Sequence, residues 1–256
     1  MLLYHASSSY YSMIARLALL EAGVAFDSRR MDIHIAKEQL APWYVAINPH
    51  MTVPSLVDGE HIWRDSRDIL GVAGDGAGAL WLAPDATTRA AIDAVVAAHY
   101  DIPIERLTFA TAMTRIPPAR WLFPRMLRGI VRKLEAELPA ASDADALRAK
   151  IAVNTERLAY FTTGRLSDKL EGERDHVRHL LTSLPAPAEL LFGAKPSPAD
   201  IVVTVLLSRL QMIGDWDLTS VRPDIAAYFA RMQARPAYAQ ADLWTRFRLH
   251  RILLRR

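Results

Sequence analysis

Asn48-Pro49-His50-Met51-Thr52-Val53-Pro54-Ser55-Leu56-Val57-Asp58-Gly59-Glu60-His61-Ile62-Trp63 is the most informative stretch of this chain. Thr52 to Val57 is an extended apolar run, Asp58-Gly59 is a turn pair, and Glu60 to Trp63 is a second extended run. Asp-Gly between two such runs is the strongest short-range signal for a β-hairpin. Upstream, Leu2-Leu3-Tyr4 opens a short strand that gives way to Ala6-Ser7-Ser8-Ser9. From Tyr10 the apolar period lengthens: Met13, Leu17, Leu20 and Val24 form a helical stripe, and Gly23 suits the position just past a helix end. Val24, Phe26, Arg29, Met31 and Ile33 read as a second strand. Lys37 to Val45 reads as a short irregular helix that Pro42 interrupts. Ser66 to Val72 restarts a helix after the hairpin. The order is therefore β-α-β-α-β-β-α.

Downstream the character changes. Gly71 to Gly78 and Ala83-Pro84-Asp85 read as a linker, which divides the chain into 1–80 and 81–256. From Thr87 onward almost every segment has helical spacing, punctuated by proline. Ser197-Pro198-Ala199-Asp200 combines a serine N-cap, a proline at the first helical position and an acid at the third. The helix it starts, from Ile201, is apolar nearly all round and reads as buried core. The fold class is α+β, with a mixed N-terminal domain followed by an all-α domain.

Composition narrows the function classes. Of the 256 residues, 31 are Lys or Arg and 28 are Asp or Glu, for a formal charge of +3. Trp244 to Arg256 holds five arginines and no acid, and without it the charge becomes −2. The basic pI of 9.3 is thus largely a property of the tail, and a nucleic-acid footprint spread over the surface is not expected. There is no cysteine, which excludes disulfides, thiolate metal sites and a cysteine nucleophile. It also fits a reducing compartment. The N-terminus lacks the basic and apolar regions of a signal peptide. The apolar run Ile201 to Leu207 is far shorter than the roughly 20 residues of a bilayer span. A cytoplasmic protein with no integral membrane contact is expected.

Four features resemble the soluble glutathione transferases, whose thioredoxin-like domain of about 80 residues precedes an all-helical domain. They are the serine-rich turn Ser7 to Ser12, the segment Asn48 to Leu56 (similar to the family's NPxxxVPxL), Asp65-Ser66-Arg67-Asp68-Ile69 (similar to its glutathione motif), and the capping sequence Ser197 to Asp200. Ser12-Met13-Ile14-Ala15-Arg16-Leu17-Ala18 looks closest to zeta-like and bacterial dehalogenase-like members. Where those members carry cysteine this chain has Tyr11, so chemistry through a protein–glutathione mixed disulfide is not available.

The resemblance implies glutathione as co-substrate and a Ser-type mechanism. A thiol of pKa about 8.5 is mostly protonated at neutral pH. One hydroxyl donating to the thiolate stabilises it by about 1.5–3 kcal/mol, and a helix N-terminus adds about 0.3–1 kcal/mol. Counting back from the helix puts the family's serine at Ser9, whereas counting from the strand gives Ser8. Ser12, or the phenol of Tyr11, stands behind them. For binding, Val53-Pro54 resembles the family's cis-proline, with the Val53 backbone pairing the cysteinyl amide of glutathione. Asp65 would pair the γ-glutamyl ammonium, Ser66 and the helix N-terminus its carboxylate, and Arg67 joins them. Lys37, Gln39, His50 and the neighbourhood of Met51 are offered for the glycine carboxylate.

The reaction implied is attack by sulfur on a small hydrophobic electrophile, with displacement of halide or an aryl or alkoxy group. Tyr10, Tyr11, Tyr100, Phe109, Met113, Trp121 and Trp216 are offered as lining, with core packing accounting for at least half of them. His176 and His179 share a helix face but read as solvated, so no metal is expected. Leu243 to Leu254 reads as a basic helix with one apolar side that packs over the helical domain. Family members are usually homodimers. The alternative is a non-catalytic glutathione-fold binding or scaffold protein.

Overall fold

A computed structural model describes residues 1–77, 85–141 and 143–248, without the side chains of 75–77 and 140. β1 (Leu2–His5), β2 (Asp27–Arg30), β3 (Ser55–Asp58) and β4 (His61–Trp63) form one sheet in the order β2-β1-β3-β4. The crossover through α1 (Tyr10–Glu21) makes β1 and β2 parallel, and the remaining neighbours are antiparallel. β2 is shorter than its sequence suggests: an edge strand of four residues, Asp-Ser-Arg-Arg, that is largely exposed. Asp58 pairs with His61, so the hairpin turn is centred on Gly59-Glu60, one residue later than the Asp-Gly pair. Gly59 supplies the positive φ of 58° that such a turn requires.

Pro42 opens the short helix α2 (Pro42–Val45) at its first position, after a separate 3₁₀ turn at Glu38–Leu40. It starts a helix where its missing N–H costs nothing. α3 (Ser66–Ala77) runs through the stretch read as the start of a linker. Ile69, Leu70 and Ala73 are buried, and that apolar face outweighs the poor helix propensity of Gly71 and Gly74. The linker residues 78 and 83–84 lie outside the described residues.

The chain divides into two compact units. The first holds 1–48, 52–102 and 176 onward. It contains the sheet, α1, α3, α4 (Ala86–Tyr100), α9 (Pro198–Ile213), α10 (Asp224–Gln233) and α11 (Pro236–Gln240). α9 is its core helix, with every residue from Ala199 to Leu210 buried. The capping box holds: the Ser197 hydroxyl accepts from Asp200 N, while Asp200 accepts from Ser197 N at 2.8 Å. The second unit holds 49–51 and 103–175. Here α5 (Ile104–Arg115), α6 (Ala119–Glu137) and α7 (Ala144–Thr162) bury Leu107, Leu127 and Leu134. Phe109, Phe123 and Phe161 stack and edge against one another, with ring centroids 4.2 and 5.0 Å apart.

α8 (Leu166–Ser183) carries His176 and His179, both exposed. Among the described residues no three His, Asp or Glu side chains are grouped to hold a metal ion. The tail expectation needs correction over its described part. After α11 the chain forms turns from Ala241 to Arg248, not a helix. Arg16, buried on α1, ties this segment down by donating to Ala241 O at 2.7 Å and Asp242 O at 3.4 Å, and Arg248 pairs with Asp242 at 2.7 Å. Residues 249–256 lie outside the described residues.

Candidate active site

Three features of the first unit carry the candidate site residues. The first is the start of α1. Ser9, half-buried and extended at φ −71°, ψ 125°, is the N-cap: its Oγ accepts from Ser12 N at 3.3 Å. A serine hydroxyl has one proton and two lone pairs, so capping consumes an acceptor and leaves the proton for a ligand. Ser12 is fully buried, with its Oγ accepting from Ala6 N at 3.3 Å. Ser8 shares its hydroxyl with His34 Nε2 at 2.7 Å, and the Ser8 carbonyl accepts from Arg209 on α9 at 3.3 Å. Ser8, Ser9 and Tyr11 are all partly exposed; of the serines, Ser9 is the one at the N-cap, while Ser8 shares its hydroxyl with His34 and Ser12 is buried. Tyr11 is half-buried and packs its ring edge-on to Tyr10 at 5.4 Å.

The second feature is the loop before β3. The Val53-Pro54 bond is cis, as the resemblance implied. Val53 precedes the β3 ladder, and among the described residues no hydrogen bond reaches its backbone N–H or C=O. A buried polar knot fixes its neighbours. Tyr44 donates to Thr52 O at 2.7 Å, Asn48 Nδ2 donates to Thr52 O at 3.0 Å and to Ser55 Oγ at 2.9 Å, and Arg64 holds Ile47 O at 2.8 Å. Burial pushes the Tyr44 phenol up to about 12, so it stays a donor at any physiological pH.

The third feature is the start of α3. Asp65 is exposed, and its Oδ1 accepts from Arg67 N at 2.7 Å, capping the helix. Ser66 is fully buried, and its hydroxyl lies 2.8 Å from the Tyr100 hydroxyl. The Arg67 guanidinium sits 4.6 Å from the Tyr100 ring centroid. Tyr100 in turn lies parallel to Tyr11, with centroids 6.2 Å apart, and burial pushes its phenol well above the ordinary range.

Tyr100, at the end of α4, is therefore what joins the starts of α1 and α3. His99 beside it bonds Tyr10 at 2.6 Å. Burial first, and then the Arg67 charge, pushes His99 down to about 3, so the imidazole is neutral. These bridges span 34 and 89 residues of sequence, and no motif connects their ends. Of the residues offered as lining, Tyr10 and Met113 are buried, Trp216 packs on Phe229 with centroids 5.4 Å apart, and Trp121 is 65% exposed.

For the glycine carboxylate, the structure places Lys37 in a left-handed conformation ahead of the 3₁₀ turn, and Gln39 donates to Ile33 O at 3.4 Å. His50 is exposed. Its carbonyl and that of Met51 accept from Lys150 on α7, at 3.1 and 3.0 Å within the second unit. Burial, and then the Arg157 charge, lowers the Lys150 ammonium to about 8. Lys150 had no sequence signal, being one lysine on an amphipathic helix.

Comparison with known proteins bears on the same residues. Residues 3–75 match the family model for the glutathione S-transferase N-terminal domain. The chain is 28% identical over 250 residues to a tetrachloro-p-hydroquinone reductive dehalogenase of Sphingobium chlorophenolicum, covering 93% of this chain and 94% of that one. It is 29% identical over 245 residues to glutathione S-transferase TCHQD of Arabidopsis thaliana, covering 93% and 88%. Among solved structures, the β-etherase LigF of Sphingobium sp. strain SYK-6 aligns with a TM-score of 0.69 at 18% identity, covering 94% and 97% of the two chains. A bacterial zeta-class maleyl pyruvate isomerase aligns at 0.59 and 23% identity, covering 94% and 96%. Residues 3–75 thus match a glutathione S-transferase N-terminal domain, with the cis-proline loop inside it, and nearly end to end the chain is similar to proteins named as a reductive dehalogenase and a glutathione S-transferase.

Proposed function

We propose that this chain is a glutathione transferase of the Ser type, in which the Ser9 hydroxyl donates to the glutathione sulfur and holds it as thiolate. The observation that carries this reading is the state of Ser9: half-exposed, at the N-terminus of a twelve-residue helix, with its oxygen capping the helix and its proton uncommitted. The helix dipole favours negative charge at the same point. Val53 offers its backbone N–H and C=O to the cysteinyl residue. Asp65, Ser66 and Arg67 take the γ-glutamyl end, with Tyr100 holding the Ser66 hydroxyl in place. Residues 1–80 form the glutathione-binding part and 81–256 bind the electrophile. Lys37 and His50 are retained as partners for the glycine carboxylate.

The thiolate attacks an electrophilic carbon of an apolar substrate. A carbon–sulfur bond forms, the bond to the leaving group breaks, and halide or an aryl or alkoxy oxygen departs with the electron pair. The names of the relatives, a hydroquinone dehalogenase and a β-etherase, support halide and aryl ether as leaving groups and aromatic catabolism or detoxification as the setting. With no cysteine in the chain, turnover proceeds without a protein–glutathione disulfide. A cytoplasmic homodimer completes the proposal.

The test is turnover. Purified protein with glutathione and an aryl halide or β-aryl ether should give the thioether and free leaving group in stoichiometric amounts. Retention on immobilised glutathione with no product from any electrophile would instead favour the binding or scaffold reading.

A further inference from the structure

Helix α6 has a face that the fold does not use. Its inner side buries Pro124, Leu127 and Leu134. Its outer side exposes Trp121 (65%), Leu122 (54%) and Met126 (41%), and the preceding turn exposes Ile116 (54%). Side chains of this size are ordinarily kept from water unless something covers them. They sit among cations. From Arg115 to Lys133 the sequence carries six Arg or Lys and no Asp or Glu.

Trp121, Arg125, Arg128 and Arg132 follow the i, i+4, i+7, i+11 spacing of one helical stripe, and Leu122, Met126 and Lys133 lie on the next. Among the described residues the side chains of Arg120, Arg125, Arg128 and Arg132 make no ion pair or hydrogen bond, while Lys133 pairs with Glu137 at 3.7 Å.

We propose that this face of α6, with the Ile116–Pro118 turn, docks on an anionic lipid surface. An interfacial helix of this kind lies in the membrane plane, with apolar side chains in the headgroup–acyl boundary and guanidinium groups on the phosphates. Tryptophan is the side chain best suited to that boundary. Among the described residues no helix is long and apolar enough to cross a membrane, so the contact is peripheral.

Charge separates this partner from the other two that the face suggests. A second copy packed by two-fold symmetry would bring Arg125, Arg128 and Arg132 against the same stripe, where α6 offers only Glu135 and Glu137 near its end, the latter already paired with Lys133. A nucleic acid would satisfy the arginines but leave Ile116, Leu122 and Met126 without apolar partners. An anionic bilayer accommodates both sets at once.

The test is co-sedimentation of the whole protein with vesicles of phosphatidylcholine alone or mixed with phosphatidylglycerol. The expected result is at least tenfold more protein on the mixed vesicles at low salt, falling as salt is raised. R125E/R128E should abolish that binding while leaving glutathione turnover unchanged, since both side chains are exposed and neither belongs to the proposed glutathione site. Trp121→Ser should weaken it without removing the salt dependence.

Equal sedimentation on both vesicles would overturn the proposal. So would binding that survives R125E/R128E, which would assign the affinity to another surface such as the arginine-rich tail. If R125E/R128E instead converts a dimer to a monomer, the face belongs to a second copy. If it removes only retention on single-stranded DNA, the face belongs to nucleic acid.

Discussion

Ser9 and Ser66 each stand at the start of a helix, α1 and α3, yet the fold commits their hydroxyls differently. Ser9 is half-exposed and spends an oxygen lone pair on Ser12 N. Ser66 is fully buried and spends its hydroxyl on Tyr100. A donor with a free proton at a dipole end can change the charge state of what it touches. A hydroxyl already engaged in a buried pair can fix a ligand's orientation but has little freedom to follow a developing charge. The same residue type in the same local setting thus serves activation at one helix and recognition at the other.

The largest expected effect on turnover separates the two roles. Ser9→Ala should lower kcat about 10- to 100-fold, the equivalent of about 1.5–3 kcal/mol for a donor to a charged acceptor, with KM for glutathione moving less than threefold. Ser66→Ala should do the reverse, raising KM for glutathione about tenfold with kcat nearly unchanged. Steady-state kinetics on both variants decides the comparison, and identical kcat and KM patterns would erase it.

A pH effect follows from the groups beneath the site. His5 and His99 are held neutral at about 3, in both cases chiefly by burial. The unfolded chain takes up a proton on each near the ordinary value of about 6.5, whereas the folded chain does not. Stability is therefore complete above about 6.5 and declines as pH falls toward 3, by about 1.4 kcal/mol per pH unit for each histidine. Thermal melting between pH 7 and pH 4 should show the decline, with a shallower slope in His99→Phe. A melting temperature independent of pH would contradict the burial argument.

Ser197→Ala serves as the control, because it removes a helix cap that holds no ligand. It should cost about 1–2 kcal/mol, visible as a drop of a few degrees in Tm, with KM for glutathione unmoved. The smallest effect belongs to Tyr100→Phe. Loss of the bond to Ser66 should raise KM for glutathione about threefold, within the range of about 0.5–1.5 kcal/mol for a neutral hydrogen bond. No change in KM would mean that Ser66 needs no support from α4.

Local sequence carried much of this. Turn chemistry at Gly59, the cap at Ser9, the cis-proline segment and the capping box at Ser197 are all written in neighbouring residues. The boundaries less so: α3 absorbed glycines read as linker, because the burial of Ile69, Leu70 and Ala73 is a tertiary fact. The partners of the site were out of reach for the same reason. Tyr100, His99 and Arg209 reach the serine-rich turn and α3 only once α4 and α9 have packed, and Lys150 reaches the 50–51 carbonyls from a hundred residues away.

The central claim is that Ser9 sets the charge of the bound sulfur. It is tested most directly by the ultraviolet absorbance of the thiolate as glutathione is titrated into wild-type and Ser9→Ala protein over a range of pH. In the wild type the bound thiol pKa should fall about 1–2 units below the ordinary value of about 8.5, returning toward that value in the variant while binding persists. A thiolate signal that survives unchanged in Ser9→Ala would contradict it, and would move the activating role to another hydroxyl such as Tyr11.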